Sequence, residues 1–93
     1  MRVTISNSVT YVPHEDGEQG MLFDEEHNTL VLLNRTGRYA WESMVEGEWS
    51  DVLRAYYRRL GLGEQYLHRS VAEDLEQFVR RCAAQGWAEV EHR

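Results

Sequence analysis

The sequence contains no lysine, one proline and one cysteine among its 93 residues. A single cysteine excludes an intramolecular disulfide and a metal site built from several thiolates. Without lysine, ten basic residues face 16 acidic ones, and the net charge of -6 opposes non-specific binding to nucleic acid, which depends on cations at the phosphates. No apolar run is long enough to cross a bilayer or to form a signal peptide, so we expect a cytoplasmic protein.

The composition is that of a folded chain. Hydrophobic residues make up 42% of it, and three Trp, five Tyr and two Phe supply large side chains for a core. A chain of this length forms one such core and leaves little room for an enclosed active-site cavity. We therefore predict a single domain over residues 1–93.

The first third of the chain has the pattern of three strands. Val3 to Val12 alternates between apolar and polar residues and ends at a polar, glycine-containing segment. Met21 to Phe23 is a short second strand, and Asp24 to Asn28 (DEEHN) is the turn of a hairpin. Thr29 to Leu33 is then the third strand of an antiparallel meander.

The third predicted strand is unusual because it does not alternate. Leu30 and Leu32 point to one face and Val31 and Leu33 to the other, and all four are apolar. A small antiparallel sheet usually buries one face and exposes the other. Each face of this strand therefore needs a cover, and the sequence leaves open whether the chain covers both or whether one face binds a ligand.

Three helices are predicted after Asn34, where the apolar period lengthens to about three and a half residues. Asn34 or Thr36 can cap the first helix, which Gly47 ends. The second helix runs from about Ser50 to Leu60, with Gly61 beyond its C-terminus.

In the third helix, Ser70 and Glu73 have the spacing of a capping box and Gly86 marks the end. Its apolar stripe consists of Val71, Leu75, Phe78, Val79 and Cys82. Trp87 to Val90 can add a short extended tail that packs back on the domain. The predicted fold class is α+β, with a three-stranded antiparallel sheet followed by three helices in the order βββααα.

No segment has the spacing of a catalytic or metal site. Cys82 lies on an apolar stripe with no activating neighbour, and the adjacent carboxylates of the hairpin turn are typical of a solvated loop. A phosphate-binding glycine loop is also missing. The histidines are too widely spaced for a metal site: His14, His27, His68 and His92. We predict that the protein is not an enzyme and needs no cofactor.

From the third strand onward the sequence resembles a known family. The strand runs into the motif LN-x-T-G, which is followed by a helix containing Trp41, an acidic turn and a last helix that ends in AAQGWAEV. This pattern resembles the PqqD-like family of leader-peptide-binding domains, also called RiPP recognition elements. It is most similar to the discrete recognition proteins of lasso-peptide pathways, and the resemblance covers about Val3 to Val90.

The resemblance implies a winged helix-turn-helix-like fold that binds the leader segment of a precursor peptide as an added strand, between the third strand and the third helix. Lasso leaders carry a Tyr and a Pro at short spacing, which implies an apolar pocket for the Tyr ring and a charged contact at Asp74 or a neighbouring Arg. The implied peptide-binding positions are His27, Asn28, Thr29, Leu30, Val31, Leu32 and Leu33 on the strand, and Val71, Asp74, Leu75 and Phe78 on the helix.

The implied partners are the leader segment, a separate leader peptidase of the cysteine protease type and, as a further candidate, the cyclase, with neither nucleic acid nor membrane. Two other functions remain open. One is a small winged-helix DNA-binding or transcription-associated domain, which the acidic net charge opposes although Arg80 and Arg81 could contact phosphate. The other is a structural subunit whose groove holds a permanent partner.

Overall fold

The computed structural model describes residues 1–63 and 69–92. The elements are β1 (Arg2–Ile5), β2 (Val9–Pro13), β3 (Gly20–Asp24), β4 (Thr29–Leu33), α1 (Arg35–Met44), α2 (Trp49–Arg59), α3 (Arg69–Ala84) and β5 (Ala88–Glu91). The predicted α+β class is confirmed, because an antiparallel sheet with the order β2-β3-β4 precedes three helices. The predicted hairpin strand Thr29 to Leu33 has the bounds of β4.

The prediction of one strand over Val3 to Val12 is wrong, because this segment forms two strands in different sheets. Between them Ser6 and Ser8 form a turn, in which the Ser6 Oγ accepts a hydrogen bond from the Ser8 N–H at 3.2 Å. β1 then pairs antiparallel with β5 in a separate two-stranded sheet. The tail predicted at Trp87 to Val90 does pack back, as the second strand of this sheet. The Ser-Asn-Ser sequence is the local signal for the break.

Helix α1 begins at the capping residue predicted from the sequence. Asn34 Oδ1 accepts a hydrogen bond from the Gly37 N–H at 2.8 Å, while Thr36 donates its hydroxyl to the same oxygen at 3.2 Å. The predicted cap of α3 at Ser70 is wrong, because the helix already begins at Arg69.

Between the inner face of the β2-β3-β4 sheet and the helices lies the core. Trp41 of α1 packs near Tyr11 of β2, with their ring centroids 6.4 Å apart. The Tyr11 hydroxyl donates to Glu42 Oε2 at 2.7 Å, and burial raises the pKa of this phenol. The most deeply buried apolar side chains are Leu22, Met44, Val52, Leu75, Val79 and Cys82.

A hydrogen-bond network around Asp24 ties the sheet to the C-terminal end of α3. Asp24 ends β3 and is 3% exposed, and its Oδ2 accepts from Trp87 Nε1 at 2.9 Å and lies 2.7 Å from His27 Nδ1. Its Oδ1 accepts from the backbone N–H groups of Glu26 and His27. The bond from Trp87, followed by that from His27, lowers the pKa of Asp24 to about 2. The same carboxylate raises the pKa of His27.

Asp24→Asn should lower the melting temperature at neutral pH, because an amide carries no charge and turns an N–H toward one of these donors. Asp16→Asn is the matched control. Asp16 also accepts two backbone N–H groups, from Glu18 and Gln19, but it lies in an exposed loop. Thermal unfolding followed by circular dichroism measures both variants, and equal losses would show that the tie to Trp87 contributes nothing.

The pH dependence of stability has a definite sign at Asp24. Its folded pKa lies below the unfolded value of 3.8, so its stabilisation is complete above that pH and is lost as the pH falls toward about 2. Over this interval the melting temperature of the parent should fall more steeply than that of Asp24→Asn. Parallel curves from acid thermal unfolding would contradict the assignment.

Candidate functional site

A groove of about 560 Å³ runs between β4 and α3. Val31 and Leu33 of β4 line one wall, and Phe78 of α3 lines the other. Gly37, Ala40, Tyr56 and Cys82 are buried residues that form the floor. The remaining lining residues are Leu32, Asn34, Thr36, Asp74, Gln77, Arg81, Gln85 and Trp87. The volume lies in the range of sites that bind small ligands or side chains.

β4 is an edge strand, and its backbone groups alternate between the sheet and the open edge. Two hydrogen bonds between residues that flank β2 and β3 show which backbone groups point to which neighbouring strand. Glu25 N–H donates to Ser8 C=O at 3.0 Å, and His14 N–H donates to Gln19 C=O at 2.9 Å. The residues next to β3 in these two bonds, Gln19 and Glu25, are both odd-numbered. The odd-numbered residues of β3 therefore direct their backbone groups to β2, and the even-numbered residues direct theirs to β4.

The pairing of β3 with β4 extends this alternation to the edge. Gly20, Leu22 and Asp24 lie opposite Leu33, Val31 and Thr29 in turn, so these three β4 residues use their backbone groups for β3. The N–H and C=O groups of Leu30 and Leu32 therefore point away from the sheet, along the side where the groove lies. Their side chains lie on the outer face of the sheet, 59% and 75% exposed.

The residues implied by the resemblance fall into two sets. Those that line the groove are Val31, Leu32, Leu33, Asp74 and Phe78. The others lie around it. Leu75 is fully buried in the core and Val71 packs against the core. His27 and Asn28 form the turn before β4, and Thr29 and Leu30 form the beginning of that strand.

Several groove residues were not predicted from the sequence. Some of them had a signal in the sequence, and others had none. Gln77, Arg81 and Gln85 follow Asp74 at intervals of three or four residues, which is the spacing of one helix face and a signal that was present in the sequence. Tyr56 of α2 and Trp87 after α3 had no such signal, because only the packing of the helices brings them to the groove.

Charge is distributed unevenly along the α3 wall. Asp74 precedes Arg81 by seven residues, which is two helical turns or about 10 Å. The Arg81 guanidinium carbon lies 6.0 Å from the centre of the Phe78 ring, within the range of a cation–π contact. Burial, and then the charge of Asp74, raises the pKa of the Tyr56 phenol. The groove thus presents an apolar centre between a negative and a positive position.

The side chains of the groove include no activated nucleophile. Cys82 is 1% exposed, and burial raises the pKa of its thiol to about 12, so the thiolate is not populated at neutral pH. Within residues 1–63 and 69–92, no three His, Cys, Asp or Glu side chains are grouped to hold a metal ion. His68 lies outside these residues. Arg80, a candidate for phosphate contact, pairs with Glu76 at 2.8 Å. None of the described helices is long and apolar enough to cross a membrane.

Comparison with known proteins adds one structural relative. No family model and no curated protein sequence matches the chain. Among solved structures, it is similar to TbiB1 in complex with the TbiA(beta) leader peptide, with a TM-score of 0.73 over 97% of this chain and 99% of that one. The chain has the fold of TbiB1. The match confirms the resemblance predicted from the sequence, and at 19% identity to TbiB1 it establishes the fold alone.

Proposed function

We propose that the chain binds the leader segment of a ribosomally made precursor peptide, of the lasso-peptide type, as a strand added to β4. The observation that carries this proposal is the position of the groove beside the outward N–H and C=O groups of Leu30 and Leu32. Strand addition takes its affinity from such backbone groups and its specificity from pockets for alternate side chains. The fold of TbiB1, which was solved with a leader peptide, supports the same role.

The added strand would place its side chains in two directions. One set enters the groove between Val31 and Phe78, where the apolar floor suits an aromatic ring such as that of a leader Tyr. Asp74 and Arg81 flank this region and favour a peptide with complementary charges at that spacing, which fixes its direction and register. The other set projects onto the outer face of the sheet.

The proposed role is that of a non-catalytic adaptor. The domain holds the leader and delivers the attached core to a separate leader peptidase of the cysteine protease type and to the cyclase. It accelerates processing by raising the local concentration of the substrate at these enzymes. No metal or cofactor takes part in this binding mode.

Proline at two adjacent positions of β4 separates pairing with the peptide from pairing with β3. Leu32→Pro removes an outward N–H, so the variant should melt near the parent temperature and bind leader at least tenfold more weakly, because one hydrogen bond is lost and the ring crowds the edge. Val31→Pro removes an N–H that faces β3 and should be strongly destabilised. The measurements are thermal unfolding and fluorescence polarisation with labelled lasso-type leaders that contain Tyr and Pro.

The two variants are each other's control, since they differ by one position in the same strand. A folded Leu32→Pro variant with the affinity of the parent would place the peptide elsewhere. A stable Val31→Pro variant would show that the backbone alternation is reversed.

Asp74→Asn should weaken leader binding by about 1–3 kcal/mol without changing the melting temperature, because a charge-assisted hydrogen bond at the groove is lost. Glu73→Gln is the matched control. Glu73 is the preceding residue on α3, but its carboxylate pairs with Arg69 at 3.2 Å and does not line the groove. Equal affinities of Asp74→Asn and the parent in the same polarisation titration would remove Asp74 from the site.

A further inference from the structure

Trp87 lines the groove, and three hydrogen bonds fix its position. Its N–H donates to Cys82 C=O at 2.9 Å, and its C=O accepts from the Ser6 N–H at 2.9 Å. The first bond belongs to the Schellman turn that ends α3, which Gly86 permits with a φ of 80°. The indole Nε1 donates to Asp24 Oδ2 at 2.9 Å. The backbone of Trp87 is thus held by α3 and by the residue after β1, and its side chain is held by β3.

The bond to Asp24 determines how the indole ring is turned. The torsion between Cβ and an aromatic ring has broad energy minima, so packing alone determines the ring orientation weakly. The bond at Nε1 selects one orientation, and the half-buried Trp87 then presents one fixed surface to the groove. Asp24 itself is 3% exposed and is not part of the groove lining. Its contact with the groove therefore passes through Trp87.

The register of the sheet places the Trp87 ring beside the beginning of β4. Asp24 lies opposite Thr29, the first residue of that strand. Residues directly opposite each other in neighbouring strands direct their side chains to the same face of the sheet. A peptide residue opposite Thr29 would therefore direct its side chain to the face on which Asp24 bonds to Trp87. A strand added to β4 reaches the indole ring at this end of the groove.

The bonds of the buried Asp24 carboxylate offset the cost of burying it. A carboxylate inside a protein is costly unless its oxygens are bonded, and Asp24 accepts the indole N–H and two backbone N–H groups. An apolar side chain at this position could pack against Trp87 but could not accept its N–H. A ring that is oriented before the peptide arrives loses less conformational entropy on binding than a mobile ring does. The bond thus favours peptide binding as well as folding.

We infer that Asp24 is a positioning residue for peptide binding, which holds the Trp87 indole ring in the orientation that contacts the leader. This inference rests on the proposed function. It adds Trp87 to the residues that contact the leader, at the end of the groove where β4 begins. It also gives Asp24 a role in binding that is separate from its contribution to stability.

The test is a double-mutant cycle of Asp24→Asn and Trp87→Phe. Phenylalanine retains an aromatic ring but has no N–H. Each single variant should bind leader about tenfold more weakly, because the bond that orients the ring is lost, and the double variant should bind no more weakly than Trp87→Phe. The measurement is fluorescence polarisation with a labelled synthetic lasso-type leader that contains Tyr and Pro, at a temperature well below the melting point of each variant.

Two matched controls carry the same substitutions away from the groove. Asp16→Asn changes a carboxylate that also accepts backbone N–H groups but lies in an exposed loop. Trp49→Phe changes a tryptophan at the beginning of α2 that packs against the core and does not line the groove. Both variants should bind the leader as the parent does.

Nuclear magnetic resonance separates positioning from a loss of stability. The chain has three indole N–H groups, and nitrogen-labelled protein gives a separate signal for each. In Asp24→Asn the proton signal of Trp87 should move upfield, because its hydrogen bond to a charged acceptor is lost, while the signals of Trp41 and Trp49 stay in place. Unlabelled leader added to the parent should shift the Trp87 signal.

Each result has a separate meaning. Parental leader affinity in either single variant, or losses that multiply in the double variant, would overturn the positioning role and leave leader binding intact. A Trp87 signal that the leader does not change would overturn it as well. If Asp24→Asn does not fold, Trp87→Phe and the spectrum of the parent decide the question. A parent that binds no leader refutes the proposed function itself.

Discussion

The two-residue period of β4 is the constraint on which the groove, the open edge and the outer face of the sheet all depend. Val31 and Leu33 direct their backbone groups to β3 and their side chains inward, while Leu30 and Leu32 direct their backbone groups to the open edge and their side chains outward. A shift of one residue would exchange all four roles. The tie between Asp24 and Trp87 holds the hairpin against the end of α3 and so maintains the distance between the groove walls.

The sequence was sufficient where the determining signals are local. Asn34 is a capping residue between an apolar run and a helical period, and the structure begins α1 there. The break within Val3 to Val12 has a local signal at Ser6 to Ser8, but the alternation continues across it, and alternation alone does not identify the partner of a strand. β1 pairs with β5, more than 80 residues away along the chain, and that pairing depends on where α3 ends.

The site residues were predictable where the spacing within a single helix or strand determines which way a side chain faces. Asp74 and Phe78 lie on a helix face that the spacing defines, whereas Leu75, one position along, turns into the core. Tyr56 and Trp87 reach the groove only through the packing of α2 and β5, and no local sequence pattern predicts that packing. The apolar character of both faces of β4 was visible in the sequence, and its assignment to groove and outer face required the strand register.

An open edge strand with two exposed leucines is an aggregation hazard, because identical edges can pair and extend a sheet from molecule to molecule. Many proteins protect such an edge with lysine or proline, and β4 contains neither. The two hairpin loops offer protection of another kind, since two edges that approach each other bring these acidic loops together and repel. Their exposed carboxylates are those of Glu15, Asp16, Glu18, Glu25 and Glu26. The negative charge of the two hairpin loops thus opposes pairing between identical edges and leaves free the edge at which we propose that a peptide binds.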